Sequence, residues 1–166
     1  TTEKQQAIYG VKDNGTTEIS TSSLVEQTIT GNVISSNPVD WSTKGGWFIK
    51  LPDEKERIYI EAKLISGTLV FASIVPEASE CQPGGYGNLF LIDYSTGGSI
   101  GGDQAIFPYV SPVVGMSVVK MEDGTVKVIT VTADGATPLT KNVPRKPSGG
   151  TGSETGKRLM WRELID

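Results

Sequence analysis

The strongest constraint on the fold lies between residues 57 and 97. Three β-type runs follow one another there: Arg57-Ile-Tyr-Ile-Glu-Ala-Lys-Leu-Ile-Ser-Gly67, Thr68-Leu-Val-Phe-Ala-Ser-Ile-Val75 and Asn88-Leu-Phe-Leu-Ile-Asp-Tyr-Ser-Thr-Gly97. Ser66-Gly67 predicts a tight link between the first two, because glycine takes the positive φ such turns need. The third run ends in Asp93-Tyr94-Ser95-Thr96-Gly97. An aspartate just past a strand accepts hydrogen bonds from main-chain N–H groups two or three residues on, and the glycine closes the turn. Periodicity alone reads this region as an antiparallel meander.

The rest of the composition agrees with many short strands. The chain of 166 residues holds 20 glycines and 9 prolines, about one residue in six, which favours turns over long helices. Its length suits one domain with its own core. A formal net charge of −4 gives no attraction to nucleic acid or to an anionic membrane surface. There is no apolar run of roughly 18 residues that would predict a transmembrane helix. No basic-then-apolar leader is present, and Thr1–Ala7 reads as an arbitrary cut within a longer protein rather than a natural N-terminus.

Histidine is absent and Cys81 is the single cysteine. Zinc sites of the Cys/His type, Cys–His pairs and Ser-His-Asp triads therefore have no members within this sequence. Cys81 is expected either to be a buried small apolar residue or to pair with a cysteine elsewhere.

Taken in order, Ala7–Lys12 is a short strand closed by Asp13-Asn14-Gly15. Ser20–Glu26 reads as one helical turn, with Ser23 and Glu26 in capping-box spacing. Residues 27–36 alternate around Gly31 as one or two short strands, and Asn37-Pro38 breaks them. Trp47, Ile49 and Leu51 alternate with Phe48 and Lys50 as a half-buried strand. Trp41 and Trp47 around Gly45-Gly46 read as core or edge packing, with a ligand-stacking platform as the other use. Asp53-Glu54-Lys55-Glu56-Arg57 reads as a solvated charged turn.

Pro76–Gly87 is a loop whose glycines predict positive φ or close main-chain approach. Residues 97–112 read as a long irregular segment. Met116–Met121 and Val126–Thr132 form a hairpin on Asp123-Gly124, and Asp134-Gly135 ends it. Thr137–Gly156 is linker-like, with residues 144–156 the Gly/Ser/Pro linker proper. Lys157–Ile165 reads as a terminal strand that docks. The expected organisation is a β domain over 1–143, the linker 144–156 and the docking strand within 157–166.

The strand, glycine, strand, loop and strand ending Asp-x-x-Thr-Gly is similar to a blade of a quinoprotein-type β-propeller. The longer set resembles the C-terminal region of the PilY family, which assists type IV pilus assembly and retraction and acts as a tip adhesin. The matching pieces are Ala7–Gly15, Leu24–Thr28, Trp41, Lys44–Pro52, Glu56-Arg57, Gly67–Pro76, Cys81 before Gly84-Gly85, Leu89–Gly97 and Trp161–Leu164. The chain departs from the family in the second glycine at Gly45-Gly46, in the charged run before Glu56-Arg57, and in lacking the D-x-[DN]-x-[DN]-G calcium loop. Asp13-Asn14-Gly15, Asp123-Gly124 and Asp134-Gly135 lack upstream ligands and read as turns, so no calcium site or other cofactor is expected.

The resemblance implies an all-β fold of antiparallel sheets, propeller-like but incomplete or modified, since 166 residues supply only three or four blades of about 40–45 residues. A β-sandwich is the alternative. It also implies a non-enzymatic, extracellular or outer-membrane-associated module at the pilus tip. Its expected partners are minor pilins, other pilus components or the rest of its own precursor. A glycan- or host-surface-binding adhesin is the second reading, with Trp41, Trp47, Tyr86 and Tyr109 as the aromatic contacts. A quinoprotein-type dehydrogenase is the third, for which Asp93, Asp103 and Trp47 are the available residues.

Overall fold

The computed structural model describes residues 5–13, 15, 19–76, 78–79, 82–136 and 138–145. Cys81 and the terminal segment 157–165 lie outside the described residues. The strands are β1 (Ala7–Val11), β2 (Leu24–Gln27), β3 (Ile29–Thr30), β4 (Val33–Ile34), β5 (Gly46–Lys50), β6 (Arg57–Ile58), β7 (Lys63–Ile65) and β8 (Thr68–Val75). They continue with β9 (Ala78–Ser79), β10 (Gln82–Pro83), β11 (Tyr86–Asp93), β12 (Ile106–Tyr109), β13 (Val113–Lys120), β14 (Val126–Thr132) and β15 (Leu139–Asn142). The fold is all-β and mainly antiparallel.

Two long apolar strands make the centre. β8 and β11 pair antiparallel from Val75↔Tyr86 to Thr68↔Asp93. β12 adds to the far side of β11, and β6 and β7 add to the far side of β8. Successive side chains of a strand point to opposite faces, and here both faces are covered. Leu69, Phe71, Phe90 and Ile92 face one core together with Trp47, Ile49, Leu51 and Ile34. Val70, Ala72, Leu89 and Leu91 face another with Val113, Val126 and Val128. This is why both strands read as near-continuous apolar runs rather than alternating ones. Phe71 and Phe90, opposite each other in register, stack at 4.6 Å.

A first sheet, ordered β1-β5-β2, covers one face, and a third sheet, ordered β13-β14-β15, covers the other. The three sheets stack face to face without closing into a barrel, an arrangement shared by adjacent propeller blades and by layered sandwiches.

The turns follow the glycines. Ser66 (φ 50) and Gly67 (φ 81) join β7 to β8 with two positive φ angles, the hairpin turn that matches strand twist. Gly124 (φ 80) does the same work in the β13–β14 connection.

Five expectations are corrected. β2 and β5 run parallel, which residues 28–45 allow, because a parallel pair needs a crossover of roughly a dozen residues or more. The helical turn is a 3-10 turn at Thr21–Ser23 capped by Ser20, not by Ser23; Glu26 sits in β2 and pairs with Lys50 at 2.9 Å. Residues 106–109 are not irregular but form β12, an edge strand, where a proline such as Pro108 is tolerated. Residues 139–142 are not linker but β15, held by pairing with β14. The run 53–57 is not wholly solvated, because Glu56 is fully buried.

Candidate functional site

The turn that ends β11 is built from its own sequence and then clamped from the first sheet. The Asp93 carboxylate accepts from the Ser95 main-chain N–H and hydroxyl, both at 2.8 Å, and the Asp93 carbonyl accepts from Gly97 N–H at 2.8 Å. Its three successive carbonyls each take a side-chain donor. Trp47 Nε1 donates to Tyr94 at 3.0 Å, Trp41 Nε1 to Ser95 at 3.1 Å, and Gln27 Nε2 to Thr96 at 2.8 Å. Gln27, buried, also donates to the Asn37 carbonyl and accepts from Asn37 N–H and Ser35 Oγ. All four of its hydrogen-bonding positions are thus used. Trp47 lies between two glycines: a Cβ on Gly10 would stand 2.2 Å from its ring, and one on Gly97 2.4 Å.

At the other end of β8 and β11 is a buried polar cluster. Ser73 and Asn88 are opposite each other in register and interrupt the apolar runs. Glu56 Oε1 accepts from Ser73 Oγ and, at 2.9 Å, from Asn88 Nδ2. Its other oxygen, Oε2, accepts from Asp53 N–H at 3.2 Å. Tyr86 donates its hydroxyl to Asp53 Oδ2 at 2.7 Å. A buried carboxylate needs such donors on both oxygens. Gly87 is small because a Cβ there would meet the Ser73 carbonyl at 2.5 Å.

The four aromatic residues expected to meet a ligand are not gathered in one place. Trp47 has no exposed surface and Tyr109 is 8% exposed, so both serve the cores and neither offers a stacking face. The Tyr109 hydroxyl accepts from Thr130 Oγ1 at 3.0 Å. Trp41, half-buried, joins Trp47 on the Asp93 turn, whereas half-buried Tyr86 stands at the opposite end of β11. Asp93 is committed to its turn, and Asp103 is exposed beside Gly101-Gly102.

Sequence reasoning missed Gln27 and Glu56, which lie in polar stretches. The available signal was Ser73 and Asn88: a polar residue inside each of two apolar runs, able to face each other once the strands pair.

A different aromatic pair, exposed Tyr9 with half-buried Phe48, reaches the surface. Tyr9 and Phe48, cross-strand partners on the outer face of the first sheet, stack at 5.9 Å. Lys50 lies 5.9 Å from the Phe48 ring centre and pairs with Glu26 beside it.

The sheet edges differ in how they are closed. On β2, the Asn37 amide caps the Glu26 carbonyl at 2.9 Å. On β12, Pro108 has no N–H to offer, and Ile106 N–H goes to Asn32. β13 carries a bulge between Val113 and Gly115 and receives the Tyr59 hydroxyl on the Val113 carbonyl. β6 and β7 are short. All of these are recognised ways of blunting an edge.

β1 and β15 differ. Lys12 N–H to Gly45 and Leu51 N–H to Gln6 set the register in which Ile8 and Gly10 bond to β5. The main-chain groups of Tyr9 and Val11 then face outward. Val143 N–H to Val126 likewise leaves Thr140 and Asn142 facing outward from β15, all four of whose residues are exposed.

Among the described residues, no three or more Asp, Glu, Cys or His side chains converge as a metal-binding group, and no helix is long and apolar enough to cross a membrane. No family model, curated protein or solved structure matches the chain.

Proposed function

We propose that this chain is a non-enzymatic module of the type IV pilus apparatus, placed at the outer cell surface or pilus tip and working through protein–protein contacts. The observation that carries the reading is that, among the described residues, β1 and β15 turn main-chain groups outward from their sheets, whereas β2, β12 and β13 are blunted. An extended segment of a minor pilin, or of the rest of the precursor, gains affinity there from main-chain hydrogen bonds and specificity from alternate side chains. The ordered motifs from Ala7 to Trp161 that resemble the PilY family supply the choice of partner class. The test is size-exclusion chromatography with light scattering, on the chain alone and mixed with candidate minor pilins. A monomer that shifts to a complex of defined stoichiometry supports the reading. A chain that never associates with any pilin, at concentrations up to those at which it self-associates, removes it.

A glycan- or host-surface-binding adhesin is the second reading, favoured by the stack of exposed Tyr9 on half-buried Phe48, flanked by the Lys50–Glu26 pair. Aromatic surface beside hydrogen-bonding charges suits a sugar ring. A glycan array, repeated with Tyr9→Ala, separates it from pilin binding.

A further inference from the structure

We propose that β1 is a self-association edge: its outer side pairs antiparallel, about a two-fold axis at Tyr9, with β1 of a second copy of this chain. The proposal stands apart from the pilus reading, because it leaves β15 open to a different partner and is tested on the chain alone.

Three observations carry it. The first is register. Lys12 N–H to Gly45 and Leu51 N–H to Gln6 turn Ile8 and Gly10 toward β5, so Ala7, Tyr9 and Val11 present N–H and C=O on the outer side. Among the described strands, β1 pairs with β5 alone. These outward residues are symmetric about Tyr9. In an antiparallel pair Tyr9 meets Tyr9 of the second copy, Ala7 meets its Val11, and each such pair exchanges both main-chain hydrogen bonds.

The second is side-chain fit. Tyr9 is 40% and Val11 45% exposed, and both lie on the outer face of the first sheet. Pairing sets Val11 opposite small Ala7 and, on the inner face, Ile8 opposite Gly10, which has no side chain. Tyr9 already stacks on Phe48 at 5.9 Å. Beside its counterpart it completes an aromatic row across four strands, from Phe48 of one copy to Phe48 of the other, and aromatic cross-strand pairs stabilise sheets.

The third is charge. β1 reads Ala-Ile-Tyr-Gly-Val, with no charged residue, no proline and no bulge, so it lacks the devices that keep an edge from pairing. β15 carries Lys141. Beyond the strand, the same register sets Lys12 opposite Gln6 and Asp13 opposite Gln5, so no like charges meet. A parallel, in-register pair would set Lys12 beside Lys12. On the outer face, Glu26 and Lys50 already satisfy each other at 2.9 Å. The patch is thus complementary to itself, as an isologous two-fold contact requires.

The interface is small. Five residues a side compare with roughly 20–30 in a standard interface. The dimer therefore belongs to the weak class, with a dissociation constant expected between about 1 μM and 1 mM.

Sedimentation velocity on the full chain, from about 1 μM to 1 mM, measures the association, and amide hydrogen exchange at Tyr9 and Val11 locates it. The average mass is expected to rise toward that of a dimer, and both amides to gain protection as concentration rises. Tyr9→Lys sets two ammonium groups against each other across the axis. Val11→Pro removes an outward donor without breaking a bond to β5. Both are expected to weaken association by about tenfold or more, whereas Thr140→Pro, the matching change on β15, is expected to leave it unchanged. Circular dichroism checks that the variants fold, and the parent's concentration series decides the matter even if one does not. A chain that stays monomeric throughout, or a dimer untouched by both β1 variants, overturns the proposal. So does association lost only in Thr140→Pro, which assigns the contact to β15. Protection at Tyr9 and Val11 that is the same at every concentration also overturns it and assigns the edge to another segment of the same chain.

Discussion

The indole N–H of Trp47 donates to the carbonyl of Tyr94 at 3.0 Å, fastening a fully buried first-sheet residue to the turn that ends β11. Trp47→Phe keeps much of the ring but leaves that carbonyl without this donor. The loss is expected to be about 1–3 kcal/mol, with an added cost from the smaller ring. Trp41→Phe is expected to cost less, since half-buried Trp41 leaves room for water to take over at Ser95. Urea unfolding of the two variants checks the order; equal midpoints would remove the distinction drawn between the two indoles.

Gly10 and Gly97 flank the same ring. Gly10→Ala places a Cβ 2.2 Å from Trp47 Cε2, and overpacking of this kind costs about 1–3 kcal/mol. Gly97→Ala adds the strain of φ +78, about 1–2 kcal/mol more. Gly101→Ala, at φ +67 with no close neighbour under 3.8 Å, isolates the strain component alone. The expected ranking of thermal midpoints is parent, then Gly101→Ala, then Gly10→Ala, then Gly97→Ala.

Glu56→Gln tests whether both carboxylate oxygens are acceptors. The glutamine amide has one oxygen and one NH2 group. Turned either way, its NH2 meets a donor: Asp53 N–H on one side, or Ser73 and Asn88 on the other. The expected destabilisation is about 1–3 kcal/mol. Ser73→Ala removes one donor and leaves Asn88, so its cost should be smaller. In a double-mutant cycle the two changes should not add; strict additivity would mean that Ser73 and Glu56 do not interact.

Acid sensitivity follows from three exposed turns. The Ser42 hydroxyl holds Asp40 below its ordinary value of 3.8, with the Ser42 N–H and Thr43 adding to it. The Thr125 hydroxyl and N–H do the same for Asp123, and the Thr132 hydroxyl and Ala136 N–H for Asp134. The folded state thus favours the ionised form. The stabilisation is present above about pH 4 and is lost as pH falls through the lowered values. A variant with asparagine at all three positions keeps an accepting oxygen without the charge. Its unfolding free energy should vary less between pH 5 and pH 2 than the parent's; parallel curves would show that these turns do not carry the dependence.

Much of the architecture was legible because local and global preferences agree. Thr68–Val75 and Asn88–Asp93 are long, apolar and bounded by turn residues, and they became the two central strands. Asp93 and Asp123 cap their own turns as their spacing with Ser95, Gly97 and Thr125 implies. What was hidden depends on residues distant in sequence. β15 reads Leu-Thr-Lys-Asn and is exposed throughout, so only its pairing with β14 makes it a strand. Glu56 sits among four other charges, and what buries it is the Ser73–Asn88 pair across the central sheet. The aromatic residues were legible as types but not as places, because the partners of Trp47 and Tyr109 are distant in sequence: Tyr94 in the turn after β11 and Thr130 on β14.

The two-sided burial of β8 and β11 has a consequence for synthesis. The polypeptide emerges from its N-terminus, so the first sheet can cover Phe71 and Phe90 as soon as β11 is complete. The opposite face, with Val70, Ala72, Leu89 and Leu91, waits for Val113, Val126 and Val128. For the interval in which those residues are still being added, at about 5–20 per second, the nascent chain carries a bare apolar sheet surface. Ribosome-bound chains stopped so that residues up to about 112 have cleared the exit tunnel should therefore be the ones that a holdase chaperone grips most firmly, and release should coincide with the emergence of β14.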